Sequence, residues 1–465
     1  MRKIIKADFE FSESAFVDFI NIMIPEAIGK EFEAITIVEN NEIIEIEISS
    51  ENKKIVIKNR NYLTIVDEQK TVMFKTGIMK MYGKKPRWGS LIGVRPTKLL
   101  IKLLSKNVSI EVCREILKEL YLVSNRKINL LEEVVNTEKK YMNKSGVNFY
   151  IGIPFCPTRC SYCSFASYEK KGKHGDIYNE FVKKLEKEIK IYWDYINNKK
   201  INIESIYMGG GTPTILEEKE LEDVLKTIYN EIKDRQIKEF TVEAGRVDTI
   251  TIRKLDIMKK YGVTRISLNP QTFNNKTFSK IGRICDWENF ESFNKKAKEL
   301  GFIVNMDLIV GLPDETTEDI IYSINKLEEY RPENFTIHML AIKKGSKLNE
   351  DGYQYIEIDY DKIERCIESY AEKMDMKPYY MYRQKKSIDV GENRGYSIKG
   401  KESLFNIEMI EENQNTIGAG GGAITKIIDK SDIIRIVNPK DPIQYVLEFE
   451  ERISKKLEIL DKYYK

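Results

Sequence analysis

Tyr150-Ile-Gly-Ile-Pro-Phe-Cys156-Pro-Thr-Arg-Cys160-Ser-Tyr-Cys163-Ser-Phe-Ala166 decides how the rest of the chain is read. An apolar run suited to a β-strand ends at a proline, and three cysteines follow within eight residues. A loop leaving a strand can turn all three side chains onto one centre. Soft thiolates favour an iron–sulfur cluster or zinc. Zinc with a distant fourth ligand, or three free thiols, are the other readings of the same letters. Ordinary [4Fe-4S] electron carriers use four cysteines. Three with no fourth nearby leave one iron open to a small molecule that chelates through an amine and a carboxylate.

A second run accompanies the first. Tyr207-Met-Gly209-Gly210-Gly211-Thr212-Pro213-Thr214 directly follows another apolar strand. Its glycines let a ligand approach the backbone, where N–H and C=O groups at a strand end hold charge. The spacing is not that of a dinucleotide fingerprint, and the lysine of a P-loop is missing. Strands are expected at 149–153, 203–208, 239–244, 263–268, 302–309 and 334–339, with helices at 177–196, 217–230, 253–261, 287–300 and 317–330. Strands joined by single crossover helices make a parallel sheet covered on both faces. The fold class is therefore α/β, a partial (β/α)6 barrel with its site at the C-terminal ends of the strands.

The barrel is assigned to residues 146–340. Residues 1–80 alternate apolar and polar in places and read as a small α+β unit. Residues 81–145 read as a helical connector, in which Pro96 suits a helix's first turn. Residues 341–465, with glycine-rich turns, short strands and a charged terminal helix, are expected to cap the open side of the barrel and its substrate. A chain of 465 residues is longer than one core usually organises.

Lysine plus arginine number 76 against 73 acidic residues, a balance that points to no nucleic-acid partner. No apolar run is long enough to span a bilayer and the first residues lack the core of a secretory signal, so a cytoplasmic protein with no membrane partner is expected. In a reducing compartment clustered cysteines mean metal or redox chemistry. With only two histidines, cysteine is the main candidate ligand. Cys113 and Cys366 read as helix core residues and Cys285 as a buried apolar one. His174 is expected exposed in a charged loop and His338 at a strand end near a cleft, neither of them a metal ligand.

The cysteine loop resembles the radical S-adenosylmethionine (SAM) signature. The longer string YIGIPFCPTRCSYCSF is similar to the oxygen-independent coproporphyrinogen III oxidase/dehydrogenase family, in its Bacillus and Clostridium branch. The resemblance runs from WGSLIGVRPTKL to PYYMYRQK and IGAGGGAITK, and leaves only the start of the chain weakly matched. It implies a radical SAM barrel with an oxygen-sensitive [4Fe-4S] cluster on Cys156, Cys160 and Cys163, and SAM on the open iron. It implies SAM contacts from Tyr150, from Tyr162 at the adenine end, and from Gly209, Gly210, Gly211 and Thr212 at the amino group. Glu243 is expected at the amine or ribose, Gln271 near the cofactor, Arg283 at the carboxylate and Asp307 at the ribose hydroxyls. Arg246 and Asp248 are read as an internal ion pair.

The activity so implied is oxidative decarboxylation of two propionates of coproporphyrinogen III to vinyl groups, giving protoporphyrinogen IX. A reduced cluster would break a carbon–sulfur bond of SAM, the 5′-deoxyadenosyl radical would take a propionate β-hydrogen, and loss of carbon dioxide with transfer of one electron to an acceptor would leave the vinyl group. The radical removes that hydrogen, so no protein group is singled out as a base. Reduced flavodoxin or ferredoxin is the expected electron donor, and a monomer the expected state. A tetra-anionic macrocycle favours cations beside apolar surface, and Arg383 with Tyr379, Tyr380 and Tyr382 is the candidate patch. Two positions depart from the well-characterised decarboxylases: Gly152 stands in place of a histidine and Phe165 in place of a further cysteine. Neither supplies a cluster thiolate. The alternatives are a heme-binding, chaperone-like radical SAM protein, whose group usually keeps that histidine, and a radical SAM tetrapyrrole methyltransferase or heme-degrading enzyme.

Overall fold

The computed structural model describes residues 5–142, 146–384, 391–429 and 432–464. The chain divides into two compact units, Met1–Asn136 and Thr137–Lys465.

In the first unit β1 (Ile5–Ala7), β2 (Phe32–Glu39), β3 (Ile43–Ser50) and β4 (Lys53–Arg60) form one sheet in that order. The period of two is plain on β3, where Ile44, Ile46 and Ile48 are buried on one face while Glu45 and Glu47 pair with Lys58 and Lys54 on the other. Phe16 and Phe19, from helix Glu13–Met23, and Phe74, from helix Gln69–Met81, complete this core. Helix Pro96–Ser105 and most of helix Asn125–Glu138 belong to the same unit. The expected connector is thus not a separate unit, because Leu100, Leu103, Leu131 and Val134 bury an apolar stripe that needs a partner.

The second unit opens with β5 (Val147–Ile153), followed by the short pair β6 (Phe155–Cys156) and β7 (Tyr168–Glu169) across the cysteine loop. Then come β8 (Ile203–Gly210), β9 (Glu239–Glu243), β10 (Arg265–Ser267), β11 (Ile303–Val310) and β12 (Asn334–Met339). β8 lies beside β5, and each later strand is parallel to the one before it. Helices Gly172–Asn198, Glu218–Ile232, Ile252–Lys260, Trp287–Glu299 and Thr317–Tyr330 occupy the crossovers. This is the expected (β/α)6 barrel. Val147, Phe149, Ile151 and Ile153 of β5 turn toward the helices and are buried, each worth roughly 1.5–3 kcal/mol on full burial. The alternate residues are polar and bond across the strands, as Ser205 does to Asn148 at 2.5 Å and Tyr207 to Glu243 at 2.7 Å.

The region expected as a cap instead continues this sheet at both edges. β13 (Met376–Arg383) and β14 (Glu392–Ile398) add antiparallel strands beyond β12. β15 (Asn415–Gly420) runs parallel to β5, with β16 (Ile424–Asp429) and β17 (Asp432–Val437) outside it. An open barrel leaves two edges with unpaired N–H and C=O groups, and these strands satisfy them. Helix Leu404–Glu411 reaches the start of β9, where Leu404 N donates to Glu239 Oε2 at 2.9 Å, and Phe405 stacks on Tyr207 with centroids 4.3 Å apart. Among the described residues no helix is long and apolar enough to cross a membrane.

Candidate active site

β5 stops at Pro154 and the chain enters the cysteine loop. Cys163 N donates to Cys160 O at 3.1 Å, so the last two cysteines share one turn. The loop is tied down from outside: Ser161 N donates to Ile281 O at 3.1 Å and Thr158 Oγ1 to Gly282 O at 2.9 Å. The glycine loop after β8 packs against it backbone to backbone. Gly211 N donates to Ile153 O and Thr212 N to Phe155 O, both at 2.8 Å. A Cβ on Gly211 would lie 2.6 Å from Phe155 O, which is why a glycine stands there. All three thiols line one cavity of about 350 Å³ at the C-terminal ends of the strands.

Nine of the ten residues expected around the cofactor line the same cavity. Tyr150, Tyr162, Gly210, Gly211 and Thr212 surround the cysteine side, and Glu243, Gln271, Arg283 and Asp307 come from β9, the segment after β10, the loop after helix Asn275–Ile281, and β11. Gly209 does not reach the wall. A Cβ there would fall 2.8 Å from Tyr207 Cε1 and 2.9 Å from Glu243 Cδ, so this glycine makes room for that pair.

Tyr207 Oη donates to Glu243, whose carboxyl burial pushes up to about 7 against the lowering effect of that hydrogen bond. Gln271 adopts a left-handed φ of 68° and bridges to β11, its N donating to Asp307 O and its O accepting from Ile309 N, both at 2.8 Å. Asn305 Nδ2 donates to Asp307 Oδ1 at 2.9 Å. Arg283 donates to Gly245 O, to Asn269 O at 2.8 Å and to Tyr162 Oη at 3.3 Å, joining the cysteine loop to the ends of β9 and β10.

Among the wall residues, Asn269 and Lys343 were not singled out from the sequence. Tyr382, from the expected aromatic patch, also lines the cavity, and so does His338, expected near a cleft, whose Nδ1 lies 3.4 Å from Tyr382 Oη and whose Nε2 lies 3.6 Å from Asp307 Oδ2. The available signal was the period of two, which puts Asn334, Thr336 and His338 on one side of β12. Arg246 pairs with Asp248 as expected but also lines the cavity. Arg383 is buried behind β13, toward Glu392 and Tyr360, and only Tyr382 of the expected aromatic patch is on the wall. His174 is half-buried against Tyr168 and Asp441 rather than exposed, and Cys285 is exposed rather than buried.

The donor set suits the expected cofactors. Among the described residues no three His, Cys, Asp or Glu side chains close on a point as a single-ion site would. Three thiols on one cavity wall suit a cluster, whose ligands sit on separate irons. Asn269 Oδ1 and Gln271 Oε1 are buried without a hydrogen-bond partner, two orphaned acceptors that suit a ligand carrying amine and hydroxyl hydrogens.

Residues 150–327 match the family described as the Radical SAM superfamily. The oxygen-independent coproporphyrinogen-III oxidase-like protein HemZ of Bacillus subtilis (strain 168) is 37% identical over 391 residues, covering 82% of this chain and 78% of that protein. The heme chaperone HemW of the same organism is 29% identical over 279 residues, covering 59% of this chain and 69% of that protein. In fold, the chain is similar to the radical SAM enzyme coproporphyrinogen III oxidase (HemN) from Escherichia coli, with a TM-score of 0.53 at 19% identity over 68% of this chain and 72% of that one.

Proposed function

Because this chain belongs to the radical SAM superfamily, within its oxygen-independent coproporphyrinogen III oxidase-like family, we propose that it decarboxylates two propionates of coproporphyrinogen III oxidatively to vinyl groups, giving protoporphyrinogen IX. Its cofactors are a [4Fe-4S] cluster and SAM. When bound, the pair supplies one-electron cleavage of a carbon–sulfur bond and a carbon radical able to take hydrogen from an unactivated C–H bond.

The protein's own part is to hold, orient and exclude water. In this reading Cys156, Cys160 and Cys163 hold the cluster. The backbone of Gly210, Gly211 and Thr212 holds the amino group of SAM, Arg283 its carboxylate and Asp307 its ribose hydroxyls. Glu243 accepts from the amine or ribose, Gln271 offers its orphaned oxygen, and the rings of Tyr150 and Tyr162 shield the site from water.

The observation that carries the proposal is a single cavity in which the thiols and glycines are joined by His338, Lys343 and Tyr382, from the end of β12, the segment after it and β13. Met339, Leu340 and the largely exposed Phe165 offer apolar surface to a macrocycle, and Lys343 offers a cation to a propionate. Reduced flavodoxin or ferredoxin as donor, a monomer and a cytoplasmic setting complete the reading.

Anaerobically reconstituted protein given SAM, reductant and coproporphyrinogen III should form protoporphyrinogen IX and 5′-deoxyadenosine together, and Cys160→Ala should form neither. Similarity to a protein named heme chaperone favours heme handling as the second reading. Heme bound with no porphyrinogen turned over would establish that instead. Methyl transfer or ring opening of a tetrapyrrole would replace both.

A further inference from the structure

Arg246 is only 4% exposed, and its guanidinium has three kinds of partner. Nε and Nη2 donate to Asp248 Oδ1 at 3.0 Å and Oδ2 at 2.8 Å, a bidentate pair. Nη1 donates to Thr158 O at 3.2 Å and Nη2 to Thr158 Oγ1 at 3.0 Å, inside the cysteine loop. Nη1 also points at Cys160 Sγ, 3.6 Å away. Asp248 holds the fork from behind, so the charge is aimed at the sulfur by a carboxylate whose side chain is itself only 13% exposed.

We propose that Arg246 sets the reduction potential of the cluster through its hydrogen bond and charge at the Cys160 sulfur, and that Asp248 moderates this effect. The proposal rests on Cys160 being a cluster ligand. Potentials of iron–sulfur clusters depend on net charge, on hydrogen bonds to the sulfurs and on solvent exposure. Reduction adds negative charge, so a buried cation at a ligand sulfur stabilises the reduced form and raises the potential. Asp248 lies on the far side of the guanidinium and offsets part of that charge. The two residues therefore act with opposite sign, which a purely structural clamp on the cysteine loop would not do. Arg246 is here a positioning and tuning residue, since its charge does not depend on pH in the range where proteins fold.

The test is a potentiometric titration of the reconstituted cluster, followed by electron paramagnetic resonance without SAM or substrate, in wild type, Arg246→Gln and Asp248→Asn. Arg246→Gln is expected to lower the ratio of reduced to oxidised cluster at a fixed poise at least tenfold, about 59 mV more negative for one electron. Asp248→Asn is expected to move it the other way. Shifts of the same sign, or none in either variant, overturn the proposal. If Arg246→Gln fails to retain a cluster, Asp248→Asn decides alone: a positive shift supports the proposal, and no shift or a negative one overturns it. Iron and sulfide content separate the premise from the inference. A wild-type chain without cluster, or Cys160→Ala with its full complement, would overturn the ligand assignment instead.

Discussion

Gly152 and Gly421 meet backbone to backbone: a Cβ on Gly152 would lie 2.5 Å from the Gly421 carbonyl oxygen. Gly152 pairs with Gly420 across β5 and β15, and a Cβ on Gly420 would in turn fall 2.2 Å from Gly152 O. The position where the better-characterised decarboxylases carry histidine is therefore closed by β15 and the turn that follows it. Gly152→Ala should destabilise the protein by about 1–3 kcal/mol through overpacking. Gly152→His should do worse. Unfolding midpoints of the cluster-free protein check both, and a fully stable Gly152→His would refute the packing argument.

Arg283 should matter to SAM affinity for two reasons, as the expected partner of its carboxylate and as the tie between Gly245, Asn269 and Tyr162. Charged hydrogen bonds are worth about 1.5–3 kcal/mol, so Arg283→Ala should weaken SAM binding roughly 10- to 150-fold. Equilibrium dialysis against labelled SAM measures this directly, and an unchanged affinity would remove Arg283 from the cofactor site.

Tyr207→Phe deletes the hydroxyl that donates to Glu243 at 2.7 Å. That bond favours the carboxylate, so its loss should raise Glu243 further above about 7. If Glu243 must be ionised to accept from SAM, the acid limb of SAM binding against pH should move upward by roughly 0.5–1 unit, the equivalent of one ordinary hydrogen bond. A limb that stays in place would mean that Glu243 does not face the cofactor.

Three buried carboxyls should shape stability against pH. Burial pushes Glu243 and Glu315 up to about 7 and Glu408 up to about 8, from an ordinary 4.5. Between those values the folded protein keeps protons that the unfolded chain has released, so stability is full below about pH 4.5 as far as these groups are concerned and falls as pH rises toward 8. Each fully titrated group contributes on the order of 3 kcal/mol to that fall. Glu408→Gln should flatten the decline, as urea midpoints at pH 5.5 and pH 8 would show; an unaltered slope would contradict the assignment.

What the sequence told in advance follows from how local each signal is. β12 and helix Thr317–Tyr330 were expected at 334–339 and 317–330. The strand alternates cleanly, and the helix is bounded by a capping box of Thr316 and Asp319 and a left-handed Arg331. Helix Asn275–Ile281 was missed because seven residues carry too little periodicity to register. Part of β15 read as a turn because Gly418 to Gly422 is rich in glycine, and its pairing with β5 joins distant parts of the chain, which no local pattern records. The nine expected residues on the cavity wall were legible because most stand in a motif at or just beyond a strand end, Arg283 following a helix instead. His338 was expected only near a cleft and Tyr382 only in an aromatic patch, and it is the assembled barrel that brings them to Asp307.

The most direct measurement follows hydrogen. Coproporphyrinogen III carrying deuterium at the propionate β-carbons, turned over anaerobically with SAM, should give 5′-deoxyadenosine that contains deuterium in step with protoporphyrinogen IX. Unlabelled 5′-deoxyadenosine, or none above the level seen without substrate, would contradict the proposed reaction while leaving the barrel and its three-cysteine loop as described.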